Sequence, residues 1–486
     1  MNDKIKTLFY CFLVLTVSYF TYFHDYYKPD MAYYDEHHYI IHAERYIHRI
    51  VFFDTNPPLG KMFIALGEKL FNPNKNVNME EQLERGYIFL APMEGFSFVG
   101  VRFFPALFGL LNGLLIFLIF YGLSKNHFLS LMFGSLYLFE NSSIVHFRGA
   151  LLDSTLVFFS FLTILYFIYL YEKKEKKTLI NYFVLGLLTG LAVFTKMVGF
   201  ILVLLLLFLL FKELKVKELF KQVMSYLLGL CVICFAVYYI HVALGSNIIL
   251  DHDIRDMEIK VGASNEYIQM IKNKDIYNPL KLYIPMKDYF NYMRAPKESL
   301  PMLNAEIGSS PLGWPIGIKN ISYVFAGDEV NSNKWWYLNF QGNPVNWGFG
   351  LLALLLSVCL IIAKITFKIK ISNTRIYSYI LIFTSLYVGY MITVTLIAME
   401  RILYIHTYLL PLFFSFILFF LVFNYIFEEY IIKKDKVLYV LIFLLMAQIF
   451  YVYYLTSPVT YGKSITYLEC EKTRLINFWE DDCTYE

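Results

Sequence analysis

Eleven apolar runs, most of them near the length needed to cross a lipid bilayer, constrain this chain more than any other feature. They fall near residues 7–23, 101–122, 128–145, 154–171, 180–195, 198–211, 223–245, 347–363, 376–398, 404–426 and 437–455. The fifth and sixth are short and joined through Thr195 and Lys196, so the span count is about eleven, give or take one or two. A backbone in hydrocarbon must satisfy its own polar groups, and helices do so. The expected fold class is an all-α polytopic membrane protein. Composition agrees: of 486 residues only 17% are charged and 58% are hydrophobic, whereas a soluble domain carries roughly 25% charged residues. The net charge of +3 is small and its Lys and Arg residues are dispersed, which argues against nucleic acid and leaves the bilayer as the evident partner. No internal repeat or low-complexity segment stands out.

With the N-terminus inside, every short inner connection is basic: Lys4 and Lys6; Lys125; Lys173 to Lys177; Lys212 to Lys221; Lys364 to Arg375; Lys433 to Lys436. Two long polar segments, 24–100 and 246–346, and a tail from 456 then lie outside the cytoplasm. The first span reads as an uncleaved anchor. This divides the chain into an N-terminal transmembrane module (1–245, with the first outer loop 24–100), a second large outer loop (246–346), a C-terminal four-helix module (347–455) and an outer tail (456–486). The expected location is the plasma or inner membrane. Cys11, Cys231, Cys234 and Cys359 lie in apolar runs as packing. Cys470 and Cys483 stand in the tail, either bonded to each other or free.

Few charges remain near membrane level: Arg102, Arg148, Asp153, Lys196, Glu400 and Arg401, all at outer ends of spans. Ionisable groups at such depth are costly unless paired or lining a wet cavity. The plain alternative for each is snorkelling to the headgroups or a structural ion pair. Six on one side, with the polar loops, favour a shared outer cavity. A transporter would place such groups nearer the midplane and show paired broken helices.

The first outer loop carries DEHHYIIHAERYIHRIVFFDTNPPLGK, from Asp35 and Glu36 to Lys61. Adjacent carboxylates beside histidines fit a solvated face, a metal site or a base. Apolar residues from Tyr39 to Val51 recur at roughly helical spacing, which predicts an amphipathic helix on the membrane surface. Pro57-Pro58 stops it, and Leu59 to Leu70 reads as a second short helix carrying Lys61 in its first turn.

This segment resembles the first outer loop of the protein O-mannosyltransferase family, multi-span GT-C glycosyltransferases that use a polyprenyl-phosphate sugar donor. Asp35 and Glu36 match the family's acidic pair. Phe52, Phe53, Asp54, Pro57, Pro58, Leu59, Gly60 and Lys61 match its Phe-Phe-Asp-x-His-Pro-Pro-Leu-Gly-Lys block, with Asn56 in place of the His. VRFFPALFG with Arg102, RGALLDS with Arg148 and Asp153, GLAVFTKMVG with Lys196, WPIG with Trp314, the Trp335-Trp336 pair, QGNPVNW ending at Trp347, and ERILYIHTYLLP with Arg401, His406 and Tyr408 are similar to later blocks in the same order. The roughly 100 residues of the second loop are too few for the β-trefoil of eukaryotic members, so a bacterial-type member is implied. The resemblance implies a GT-C fold of about eleven spans with interfacial helices in two large outer loops.

The implied reaction moves a mannosyl-like sugar from a polyprenyl phosphate to Ser or Thr of an exported protein, with inversion. A hydroxyl acceptor needs a base, and an ionised Asp serves. Asp35 takes that role, unless it only caps the helix that follows, and Glu36 orients the sugar, the acceptor or Asp35. The leaving phosphate needs fixed cations: Lys61, Arg102, Arg148, Lys196 and Arg401 are the candidates. Asp54, Asn56, Asp153, His406, Trp335 and Trp336 are candidates for substrate binding or support. No essential metal is expected, with His38 and Glu36 the one alternative pair. Trp314, Trp335, Trp336 and Trp347 read first as interface anchors, and otherwise as sugar or peptide clamps. Two rivals stand beside this reading: a polyprenyl-phosphate-sugar transferase acting on a lipid or surface glycan, as the aminoarabinose transferases of lipid A do, and a transporter or flippase.

Overall fold

A computed structural model describes residues 3–85, 95–213, 216–248, 262–294, 308–327, 333–476, 479 and 483. Each of the eleven apolar runs lies in helical structure. The N-terminal helix α1 (Asp3–Ser18) continues through a π-turn to Phe23. In the first outer loop follow α2 (Glu36–Ile47), α3 (Leu59–Phe71) and the short α4 (Glu80–Arg85). The N-terminal module continues with α5 (Val99–Ser124), α6 (His127–Leu138), α7 (Asn141–Phe147), α8 (Asp153–Glu172), α9 (Leu179–Val193), α10 (Val203–Glu213) and α11 (Val216–Leu244). The second outer loop holds α12 (Asn265–Lys272) and α13 (Tyr283–Arg294). The C-terminal module is α14 (Pro344–Thr366), α15 (Thr374–Ala398), α16 (Leu409–Ile426), the short α17 (Glu428–Ile432) and α18 (Lys436–Thr460), with α19 (Tyr467–Glu471) in the tail. Among the described residues eight helices are long and apolar enough to cross a bilayer. The α6 and α7 pair, bent by 65°, makes nine if counted as one span, and α9 and the 197–212 segment are shorter.

Local chemistry sets many of these boundaries. The side chains of Asn126, Asn343 and Asn373 accept hydrogen bonds from Leu129 N, Val345 N and Ile376 N, capping α6, α14 and α15, and Pro344 occupies the first turn of α14. At the crossing of α3 and α5 there is no room for a side chain: a Cβ on Gly67 would lie 2.3 Å from the carbonyl oxygen of Gly100.

Three features depart from the sequence reading. Helix α2 does not lie on the surface: Tyr39 to Tyr46 are all buried, including His42, Glu44 and Arg45, so protein covers those turns on every side, and only its ends, with His38, reach solvent. The outward-facing apolar face belongs to α3, where Leu66, Leu70 and Phe71 are exposed. The second outer loop also carries strands. β1 (Ile321–Gly327) pairs antiparallel with β2 (Trp335–Phe340), and β2 with β3 (Ser464–Ile465) of the tail. Third, two tryptophans are not interface anchors. Trp314 and Trp347 are buried, their indole N–H groups donating to Ser309 Oγ and Glu140 Oε1. The tail is closed by a Cys470–Cys483 disulfide, Cα–Cα 5.9 Å.

Candidate active site

The site gathers where α2 begins, α7 turns into α8, α9 breaks before residue 197, and the 405–408 turn enters α16. Every one of these is a helix end or break, so polar side chains concentrate at one end of the bundle without entering its apolar middle.

The adjacent carboxylates have separate environments. Glu36 is fully buried and accepts from Arg102 Nε and Nη2 (both 2.7 Å), Tyr33 N (3.1 Å) and Ala150 N (2.6 Å). Arg102, also fully buried, gives its remaining donors to the carbonyls of Tyr27, Pro29 and Met31 (2.6–2.7 Å). All five guanidinium N–H groups are thereby used, so the structure puts Arg102 in a closed pair that ties the first loop to α5, and no N–H remains for a phosphate. Glu36 likewise has no oxygen left for the His38 metal pair. The Asp35 side chain, by contrast, makes no hydrogen bond or ion pair among the described residues and does not cap α2. It is half-buried. Burial pushes its carboxyl above the usual range, opposed by the positive charge of Lys196 and by His37 and His146.

Lys61 is fully buried. It donates to Asp54 Oδ2 (2.5 Å), Asn56 O (2.7 Å) and Tyr289 OH (3.4 Å). Burial alone would raise the Asp54 carboxyl, but the charge and hydrogen bond of Lys61, with His42 beside it, hold it well below the ordinary value. Asn56 donates to Tyr39 OH (3.2 Å), and Tyr39 lies in the field of Asp35, Asp54, Asp153 and Arg401. Lys61 therefore anchors the 54–56 turn beneath the site. Arg148 is also occupied, donating to the carbonyls of His24 and Asp25 (2.8 and 2.6 Å) and lying over the Tyr461 ring.

Lys196 and Asp153 form a further ion pair. Lys196 Nζ contacts both Asp153 oxygens (2.8 and 2.9 Å), and His146 Nε2 contacts Oδ2 (2.9 Å). The other His146 nitrogen meets Tyr323 OH of β1 (2.5 Å), and its ring stacks on His406 at 5.0 Å. His406 Nδ1 in turn meets Tyr34 OH (2.9 Å). Lys196 is 13% exposed, unlike Lys61 at 0%, and Arg401 is exposed at the rim within the field of His406 and Tyr39. Directly after Lys196, an apolar groove of about 200 Å³ runs between Met197, Val198, Phe200, Ile201 and Leu204 on one side and Tyr390, Thr393 and Val394 of α15 on the other. Trp335 and Trp336 stand apart on β2, half-buried, with Trp335 stacked on Phe325 at 4.8 Å.

His146, Tyr34 and Tyr323 are the residues that sequence reasoning passed over. His146 stands seven positions before Asp153, but α7 ends at Phe147 and α8 begins at Asp153, so no helical spacing in the sequence links the two. Among the described residues no group of three or more His, Cys, Asp or Glu side chains is arranged to hold a metal ion.

Two family models match along most of the chain: dolichyl-phosphate-mannose-protein mannosyltransferase over residues 12–249, and the C-terminal four-transmembrane region of protein O-mannosyltransferase over residues 290–479. The chain belongs to the protein O-mannosyltransferase family. Among relatives of this family, dolichyl-phosphate-mannose–protein mannosyltransferase 6 of Saccharomyces cerevisiae is 30% identical over 240 residues, 46% of this chain and 31% of the relative. Protein O-mannosyl-transferase 2 of Danio rerio is 30% identical over 161 residues, 32% of this chain and 20% of the relative. Those matches span about a third or less of the relatives' length. The fold extends further: a solved structure of the S. cerevisiae protein O-mannosyltransferase Pmt1-Pmt2 complex bound to the sugar donor superimposes with a TM-score of 0.76, at 15% identity, over 99% of this chain and 93% of that one. The fold of that structure is therefore present in this chain.

Proposed function

We propose that this chain transfers a mannosyl-like sugar from a polyprenyl-phosphate donor to Ser or Thr hydroxyls of exported proteins, inverting the anomeric centre, at the extracytoplasmic membrane face. The observation that carries the reading is the unpartnered Asp35 carboxylate set in the field of a locked cation, Lys196. Asp35 accepts the hydroxyl proton as the oxygen forms its bond to the anomeric carbon. The bond from that carbon to the phosphate oxygen breaks, and the electron pair leaves with the lipid phosphate. Lys196, with Arg401 at the rim, neutralises the charge that develops there. The groove of Met197 to Leu204 and α15 suits an isoprenoid chain because it is apolar and begins at Met197, next to Lys196 in the chain. Lys61 and Arg102 are framework in this reading, since their donors are engaged with the protein, and Arg148 gives two of its five N–H groups to the carbonyls of His24 and Asp25. The basic short loops support this orientation, with the site on the outer side.

The test is purified protein with radiolabelled polyprenyl-phosphate mannose and a Ser/Thr peptide. Transfer to peptide is expected, with Asp35→Asn slowing it by about 10²–10⁴ while donor binding persists. The acid limb of the rate should lie above the value of ~3.9 of an ordinary Asp, because burial raises this carboxyl and activity needs its ionised form. Transfer to lipid extract alone would replace the acceptor assignment, and no transfer at all, with Asp35→Asn harmless in cells, would point to a transporter.

A further inference from the structure

Immediately before Asp35 the backbone is strained. Tyr34 sits at φ 53°, a left-handed conformation that bulky L-residues rarely adopt and that persists only when surroundings enforce it. The enforcement is visible. Tyr34 OH is hydrogen-bonded to His406 Nδ1 (2.9 Å), its ring stacks on Tyr323 at 4.6 Å, and the edges of His406 and Tyr404 close round it at 5.2 and 6.0 Å. The turn has a chemical consequence. It delivers Glu36 to Arg102, Tyr33 N and Ala150 N, and leaves Asp35, the next residue along, outside that pair and outside the helix cap.

We propose that Tyr34 is a positioning residue for the transfer reaction: the Tyr34–His406 contact is a clasp that holds the strained turn and so sets the Asp35 carboxylate. The inference rests on the reading of Asp35 as the base. His406 is itself stacked on His146, which holds Asp153, which holds Lys196. The clasp therefore places the base at the acceptor end and the cation at the phosphate end in one frame, although Tyr34 and His406 stand 372 residues apart in the chain. Small displacements of a base are expensive: a shift near 1 Å costs up to about 100-fold in rate.

The test compares wild type with Tyr34→Phe, His406→Ala, His406→Gln and the Tyr34→Phe/His406→Ala double variant in the peptide-transfer assay, measuring kcat and donor KM separately. Tyr34→Phe keeps the ring packing and removes only the hydroxyl. The clasp predicts a kcat loss of about tenfold or more for Tyr34→Phe with donor KM unchanged within twofold, a similar loss for His406→Ala, and no further loss in the double variant. Partial rescue is expected for His406→Gln, which still offers the hydroxyl a partner. Unchanged kcat in Tyr34→Phe, multiplied losses in the double variant, or an effect confined to KM would overturn it. If wild type transfers and Asp35→Asn does not, such a result removes the clasp alone; if Asp35→Asn is fully active, the base assignment falls and the clasp with it.

Discussion

Glu36 and Asp35 are consecutive carboxylates, and the sequence alone treats them as a pair. The structure separates them by solvation and partners: one is fully buried and accepts four hydrogen bonds, two of them from a guanidinium, and the other accepts none among the described residues. A buried charge must be compensated, and breaking such a pair by removing one partner costs ~3–5 kcal/mol. Arg102→Lys should therefore act on folding, since an ammonium carries three donors where five are in use. We expect loss of folded protein or a melting temperature lowered by several degrees, with donor KM unaffected in whatever folds. A folded Arg102→Lys enzyme with a raised donor KM would instead restore Arg102 to the phosphate. These roles were not legible in the motif because partnership is long-range: Glu36 and Arg102 are 66 residues apart, Asp153 and Lys196 are 43. Spacing named the residue types, and only folding decided which cations stay available.

At the level of elements, apolar run length was the strongest signal, because hydrocarbon admits little but helix. The start of α3 at Leu59 followed from Pro57-Pro58 in the same way, whereas α2 ends at Ile47, well before the prolines expected to stop it. What failed was the surroundings of α2. Its polar and apolar residues alternate as on a surface helix, yet α3 and the connections around it cover both faces, which no local pattern records. That burial leaves a titratable cost. Glu44 is buried, and its Oε1 has no hydrogen-bond partner among the described residues. Burial, with the charge of Glu68 added, pushes its carboxyl up to about 8. A folded-state value above the unfolded one means that the folded protein binds the extra proton; stability is full below the unfolded value of ~4.3 and declines as pH rises towards 8. Thermal unfolding of the purified protein should show this fall between pH 5 and 8, and Glu44→Gln should flatten it. An equal slope in the variant would assign the pH dependence elsewhere. The β2–β3 pairing was missed for a related reason: β3 comes from the tail, more than a hundred residues away.

For the whole molecule, the question is what keeps the two transmembrane modules in register, since the candidate site takes Asp35, Asp153 and Lys196 from one and His406 from the other. A buried joint answers it. Glu140, between α6 and α7, accepts from Ser142 Oγ (2.7 Å), Asn343 N (3.0 Å), Trp347 Nε1 (3.0 Å) and Asn346 Nδ2 (2.9 Å). Asn343 also donates to the carbonyls of Phe139 and Ile449. The QGNPVNW block thus serves as a connector, gathering the bend of the N-terminal module, the first turn of α14 and the middle of α18 round one carboxyl. Because α7 carries His146 and leads directly into Arg148, the same joint sets the orientation of the site's inner wall. Removing the acceptor would leave an indole N–H, a backbone N–H and an amide unpaired in a dry interior, at ~1–3 kcal/mol each. Glu140→Ala should accordingly lower the melting temperature by several degrees and raise hydrogen exchange in the first turns of α14, and Glu140→Gln, which retains an acceptor oxygen, should do so less. Transfer activity should fall with the loosening and not recover at saturating donor, because His146 and Lys196 lose their common frame. Unaltered exchange in α14 together with wild-type melting would show that the modules are held by apolar packing alone.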